Sequence, residues 1–226
     1  VAATSGLYLF APEIAQLVSE ASERCGIDPA SLDSTHAAAL RRCINFMFAA
    51  WTAKKFKQPW MTTYSVTLTQ GQIQIPLVTP AVDVFHAYLT RSGYDVEMYP
   101  ISRTDYEAIP NKTQQGRPTM YWVNYATELN NLAPTVYLWQ ASQNSTDIWN
   151  ASVFNRMQDA GQSNNALGIP YTWYDAAAAG IAARFAQKYR PERYEGLKSE
   201  AMQAFLEAMG STREKAPTRI RVRGRF

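Results

Sequence analysis

Asp95 and Glu97 stand two residues apart, and so do Asp105 and Glu107. Two carboxylates that converge on a glycosidic bond can hydrolyse it unaided, so these four are the acids that a cell-wall hydrolase would use. Acids spaced i, i+2 on a strand also mark an ordinary wet face, and that is the preferred reading here. The only histidines, His36 and His86, fall on different predicted elements, which leaves a Ser-His-Asp triad or a His-based metal site little to draw on. His36 is expected to be solvated or to serve a cap near a helix start, and His86 to sit in a strand. Cys25 and Cys43 lack Cys-x-x-Cys spacing and lie on apolar stripes, so they read as two buried, reduced thiols. Phosphate-binding glycine loops, dinucleotide fingerprints, nucleophile elbows and His-Glu-x-x-His motifs are missing from the sequence. No catalytic centre, cofactor or metal is expected.

The sharpest local pattern is Arg219-Ile220-Arg221-Val222-Arg223-Gly224-Arg225-Phe226. An extended strand would put all four arginines on one side and Ile220, Val222 and Phe226 on the other, as suits an arm that adds to another protein's sheet edge. Residues 213 to 226 hold six basic side chains, Arg213 and Lys215 among them, against the single acid Glu214. The whole chain is only +3, so the other 212 residues carry a net −2. Such asymmetry implies a partner for the basic end, either a protein surface or, by phosphate contacts, DNA.

The elements that would carry these groups follow from periodicity. In this 226-residue chain, Ile14, Leu17, Val18, Ala21 and Cys25 step by three and four, predicting a helix from about 12 to 25. Leu40, Cys43, Ile44, Met47, Phe48 and Trp51 predict a second, with Asp33 and Ser34 as capping candidates and an end near Phe56. Beyond Pro59 the period changes to two. Tyr64, Val66 and Leu68, the turn Gln70-Gly71-Gln72, then Ile73 and Ile75 read as a hairpin. Further strands are predicted over 82–90, 95–101, 120–125, 135–139 and 152–157, with a short helical turn at 102–108 begun by Ser102. Helical spacing returns at Tyr174, Ala178, Ile181, Phe185 and Tyr189, and again from Pro191 to Gly210.

The predicted fold class is α+β: a four-helix bundle from both chain ends with an inserted antiparallel β domain and an extended C-terminal arm. The expected domains are 1–58 with 168–210 for the bundle, 59–167 for the β domain, and 211–226 for the arm. The longest apolar run, Ala176 to Ala183, is far too short to cross a bilayer, and the first residues lack a signal-peptide layout. Of the aromatics, Trp51, Tyr174 and Phe185 lie on core stripes. Trp60, Tyr121, Trp122, Tyr125, Tyr137, Trp139 and Trp173 are left for core packing or subunit interfaces.

The order of these motifs resembles the head-to-tail adaptor proteins of tailed bacteriophages, the family of tail tubular protein A and the portal-completing adaptors. The resemblance is carried by Leu40 to Trp60 with Trp51, by Thr69-Gln70-Gly71-Gln72-Ile73-Gln74-Ile75-Pro76, and by Val82-Asp83-Val84. Ile101-Ser102-Arg103-Thr104-Asp105-Tyr106, Asn111-Lys112, Gly116-Arg117-Pro118-Thr119-Met120-Tyr121-Trp122-Val123 and Pro134 to Trp139 continue it. The Ala-rich helix from Pro170 to Tyr189 completes it, for a span of roughly 35 to 210. The segment 140–169 departs from the family by being longer and rich in Asn, Gln and Ser.

The resemblance implies a structural virion protein at the head-tail junction, assembled in the host cytoplasm as a homo-oligomeric ring of about twelve copies. The ring would join the portal protein to a downstream tail tube or nozzle protein, and packaged DNA would pass through its bore without sequence-specific contact. No membrane is involved. The arm residues Arg213, Lys215, Arg219, Ile220, Arg221, Val222, Arg223, Arg225 and Phe226 would then engage the portal. Gln70, Gly71, Gln72, Asn111, Lys112, Gly116, Arg117 and Pro118 would belong to tail-facing loops. A peptidoglycan hydrolase and a basic-tailed DNA-binding protein are the alternatives.

Overall fold

The computed structural model describes residues 10–54, 60–125 and 133–212. The chain is α+β and forms two compact units, one built from residues up to Met47 together with those from Ala160 onward, the other from Phe48–Asp159.

The first unit is helical. α1 (Ile14–Arg24) and α2 (Ser34–Ala53), whose residues from Phe48 on fall in the second unit, come from the N-terminal part, α4 (Tyr174–Tyr189) and α5 (Tyr194–Ser211) from the C-terminal part. Asp33 accepts the His36 backbone N–H at 2.8 Å, which caps α2 and depresses the Asp33 pKa. The His36 ring, beyond serving that cap, lies 4.7 Å from Tyr189 and 6.0 Å from Phe185 of α4. α4 is buried almost all round, from Tyr174 through Ala176–Ala179 to Phe185 and Ala186, because alanine faces let neighbouring helices approach closely. α1 meets it where the buried Cys25 thiol donates to the Ala182 carbonyl, and α5 meets the turn before it through Trp173 and Phe205. At the surface Arg24 gathers Glu20, Asp175 and Glu200 at 2.8, 2.8 and 3.1 Å, tying α1 to α4 and α5. Burial opposes the Arg24 charge, but its bonds to Asp175 and Glu20 outweigh that and raise its pKa. Both cysteines are free and buried.

The second unit is a seven-stranded sheet ordered β1-β9-β3-β4-β6-β7-β2. Its strands are β1 (Met61–Thr67), β2 (Gln74–Pro76), β3 (Ala81–Arg91), β4 (Tyr94–Pro100), β6 (Met120–Asn124), β7 (Thr135–Trp139) and β9 (Ile148–Asn155). Every pairing is antiparallel except β4 with β6. Two short strands, β5 (Gln115–Gly116) and β8 (Ala141–Ser142), pair in parallel beside it, and α3 (Arg103–Ala108) follows β4. Inward-facing Leu68, Ile75, Leu89, Met98, Leu138 and Trp149 fill the core.

The expected β1–β2 hairpin does not form. β1 pairs with β9 and β2 with β7, at the two ends of the strand order. The seven steps from Thr67 to Gln74 reach at most about 25 Å. The outer strands of a flat seven-stranded sheet would stand about 29 Å apart, so the sheet has to curl. The Tyr64 hydroxyl reaches the Pro76 carbonyl at 3.5 Å across the curl. The strand expected at 152–157 is β9, begun four residues earlier and pairing on both sides, with Trp149, Ala151 and Val153 turned inward.

Candidate docking loops

The pairing directions point the ends of β1, β3 and β7 and the starts of β2, β6 and β9 the same way. The loops at that end form one hydrogen-bonded cluster. The Gly71 N–H donates to the Ser142 carbonyl at 2.7 Å, and the Ser142 N–H donates to the Gln72 carbonyl at 3.1 Å. Gly71 has a φ of +79°, which its lack of Cβ allows in this tight reversal. Gln72 closes the turn on itself by accepting the Thr69 N–H at 2.8 Å. Gln70 donates its backbone N–H to Ser145 Oγ at 3.1 Å and its side-chain amide to Gln115 Oε1 at 3.5 Å.

The 111–118 segment joins the same cluster. The Gly116 carbonyl accepts the Gln143 N–H at 3.0 Å, and the Ala141 N–H donates to the Gln114 carbonyl. A Cβ on Gly116 would stand 1.9 Å from Gln140 Oε1, so the close approach of these strands uses the missing side chain. The Asn111 side chain accepts the Thr113 N–H, and its carbonyl receives Trp139 Nε1. Lys112 donates to the Glu107 and Ile109 carbonyls at 3.0 and 2.9 Å, closing the end of α3, and stands 5.7 Å from the Tyr106 ring. Tyr106 in turn stacks with Trp122 and Tyr137, which anchors α3 on the outer face of β6 and β7.

Beneath the cluster lies a charge pair. Asp147 is fully buried, and Arg91 from the end of β3 grips both its oxygens at 2.7 and 2.5 Å. That grip raises the Arg91 pKa. Asn144 accepts the Thr146 and Asp147 N–H groups, and the buried Ser142 hydroxyl donates to the Asn144 carbonyl. The Leu68 N–H donates to the Asp147 carbonyl at 2.8 Å, so the pair also holds the root of the 69–72 turn.

Of the eight loop residues read from the sequence, Gln70, Gly71 and Asn111 are exposed, Gln72, Lys112, Gly116 and Arg117 half-buried, and Pro118 buried. Sequence reasoning missed Gln114, Gln115, Gln143 and Ser145, exposed in the same cluster. For Gln143 and Ser145 the Asn-, Gln- and Ser-rich composition of the long segment after Trp139 was the available signal. The exposed residues among them are amide-rich and uncharged, with the two cations, Lys112 and Arg117, half-buried. The basic arm, Arg213 and Lys215 through Arg219, Arg221, Arg223 and Arg225 to Phe226, lies outside the described residues.

The four acids weighed for hydrolysis are each engaged locally. Asp95 accepts the Thr90 hydroxyl at 2.5 Å, and Glu97 lies 3.6 Å from His86 Nε2. Asp105 accepts the Ser102 hydroxyl while its N–H donates back to Ser102, the cap of α3, and Glu107 pairs with Arg103. Among the described residues no group of three or more His, Cys, Asp or Glu side chains is placed to hold a metal ion.

Residues 12–223 match the family model for SU10 adaptor protein. The chain belongs to that family. Its members are phage head-tail adaptors, as the order of sequence motifs implied, so this adaptor is a structural component of the virion. No curated protein matches the adaptor. Among the described residues, no helix is long and apolar enough to cross a membrane.

Proposed function

We propose that the adaptor forms a ring of about twelve subunits that joins the portal to the tail and continues the DNA ejection channel. Family membership over residues 12–223 is the observation that supports this most. In this reading the helical unit is a bundle forming the ring wall. The amide-rich loops around Gln70–Gln72, Asn111–Lys112 and Gly116–Pro118 meet the next tail component. The arm of residues 213–226 engages the portal by strand addition and arginine pairing, as its alternation of charge and apolar residues suits.

The test is the mass and shape of the purified protein with and without its cognate portal, by light scattering and negative-stain imaging. A ring assembled on the portal is expected, and a monomer that ignores the portal would overturn the reading. Removing residues 213–226 should leave a folded subunit that no longer binds portal; undiminished binding would refute the arm's role.

A further inference from the structure

Arg117, in the loop cluster, is a cation with nothing of its own to hold. Among the described residues it forms neither a hydrogen bond nor an ion pair, although it is half-buried and its Nε is sealed from water. Nε alone is sealed in this way, so the two terminal nitrogens, equally unpartnered, stand at the surface. By contrast Arg91 holds Asp147, Arg103 holds Glu107 and Lys112 holds two carbonyls. The backbone that carries Arg117 is anchored on both sides. Gln115, two residues earlier, receives the Gln70 side-chain amide, the Gly116 carbonyl takes the Gln143 N–H, and Pro118 is buried.

This placement restricts what can dock on the loops. A partner seated there covers the guanidinium and removes its remaining water. A covered cation is strongly unfavourable unless the partner brings an opposite charge to meet it. With Nε shut in, the accessible edge is the pair of terminal nitrogens, which matches the two oxygens of a carboxylate. The anchored backbone and half-buried stem also reduce the ordering that such a contact would otherwise cost. Duplex DNA fits worse, because phosphate binding draws on several cations acting together. The exposed residues around Arg117, among them Gln114, Gln115 and Gln143, carry no charge.

Resting on the reading that these loops meet the tail, we propose that Arg117 receives an acidic side chain of the next tail component, with the surrounding amides supplying neutral hydrogen bonds. The partner surface is therefore polar and carries a carboxylate opposite this guanidinium.

The test adds the downstream tail protein of the same phage to portal-adaptor rings of wild type, Arg117→Met or Arg117→Lys. Arg117→Met should bind it at least about tenfold more weakly. Its own urea midpoint should stay at the wild-type value or rise, because the fold gives the guanidinium no partner to lose. A lowered midpoint would show a structural role and overturn the proposal, as would undiminished binding. In Arg117→Lys rings a carbodiimide should couple the new amine to an Asp or Glu of the tail protein, located by mass spectrometry. No coupling at that position, or coupling to an acid of a neighbouring adaptor, would overturn it. So would loss of duplex DNA binding in Arg117→Met with tail binding unchanged, which would assign the guanidinium to phosphate. If Gln143→Arg blocks tail binding while Arg117→Met does not, the tail-facing reading stands and this inference alone fails. Wild-type rings that ignore the tail protein would overturn both.

Discussion

Replacing Arg91 by Met should be among the most damaging single changes in the β unit. Asp147 is fully buried and both its oxygens are held by Arg91. Loss of the guanidinium strands a dry carboxylate, which costs about 3–5 kcal/mol. Domains of this kind hold roughly 5–15 kcal/mol in all. With a urea dependence of about 1.5 kcal/mol per molar, the unfolding midpoint should fall by about 2–3 M. Asp147→Asn should cost less, about 1–2 kcal/mol, because the Arg91 side chain is 22% exposed and can hydrate. Arg91→Met combined with Asp147→Leu removes both charges and should recover at least ~1 kcal/mol over Arg91→Met alone. Tryptophan fluorescence is the fitting probe, since five of the six tryptophans lie within Phe48–Asp159 and Trp149 neighbours the pair in sequence. Hydrogen exchange should also rise at 69–73 and 141–147, which the pair roots. An Arg91→Met midpoint within experimental error of wild type, or a double variant no better than the single, would refute the account of a buried carboxylate held by one arginine.

Cys25 and Cys43 should resist a thiol reagent at pH 8 in the native protein and react once it unfolds, as both are free and buried. Burial pushes the Cys25 thiol up to about 11 from 9.0, so the folded state keeps a proton that the unfolded chain releases. Its contribution is intact below pH 9 and fades as pH rises toward 11, by at most about 1.4 kcal/mol per unit, a slope that Cys25→Ala should reduce in urea titrations. Gly26→Ala should lower stability by about 1–2 kcal/mol by the same measurement, because φ is +70° there. Its new Cβ would also stand 2.7 Å from the Arg193 guanidinium, which bonds the Arg24 carbonyl; a neutral result would refute the backbone argument, because that strain stays even if Arg193 moves away.

The helices were legible because their signals are local. The stripe Leu40, Cys43, Ile44, Met47 and the cap Asp33 lie within a few turns, as do Ser102 and the acids of α3. Strand existence was legible for the same reason, but strand pairing was not. A Gly turn between two alternating runs looks alike whether the runs bond to each other or to distant partners. Here Tyr64 pairs with Ala151 and Ile75 with Val136, separations no local pattern encodes. β9 was placed late because Asn150 and Ser152, on its other face, break the apolar run that Trp149, Ala151 and Val153 continue.

The candidate loops show the same limit from the side of function. Gln70–Gln72, Asn111–Lys112 and Gly116–Pro118 read separately as turns, each for its own Gly, Pro or amide residues. What makes them one surface is the parallel β5–β8 pair and the curl that brings β1 beside β2, both consequences of long-range register. The support for that surface is less legible still: Asp147 sits in a stretch of Asn, Ser and Thr that any composition rule assigns to solvent. It is buried because Arg91, 56 residues away, arrives at the end of β3 with geometry that satisfies both its oxygens. A polar segment can therefore carry the least exposed charge of its unit, and the loops it anchors can present neutral amides outward only because that charge is neutralised beneath them.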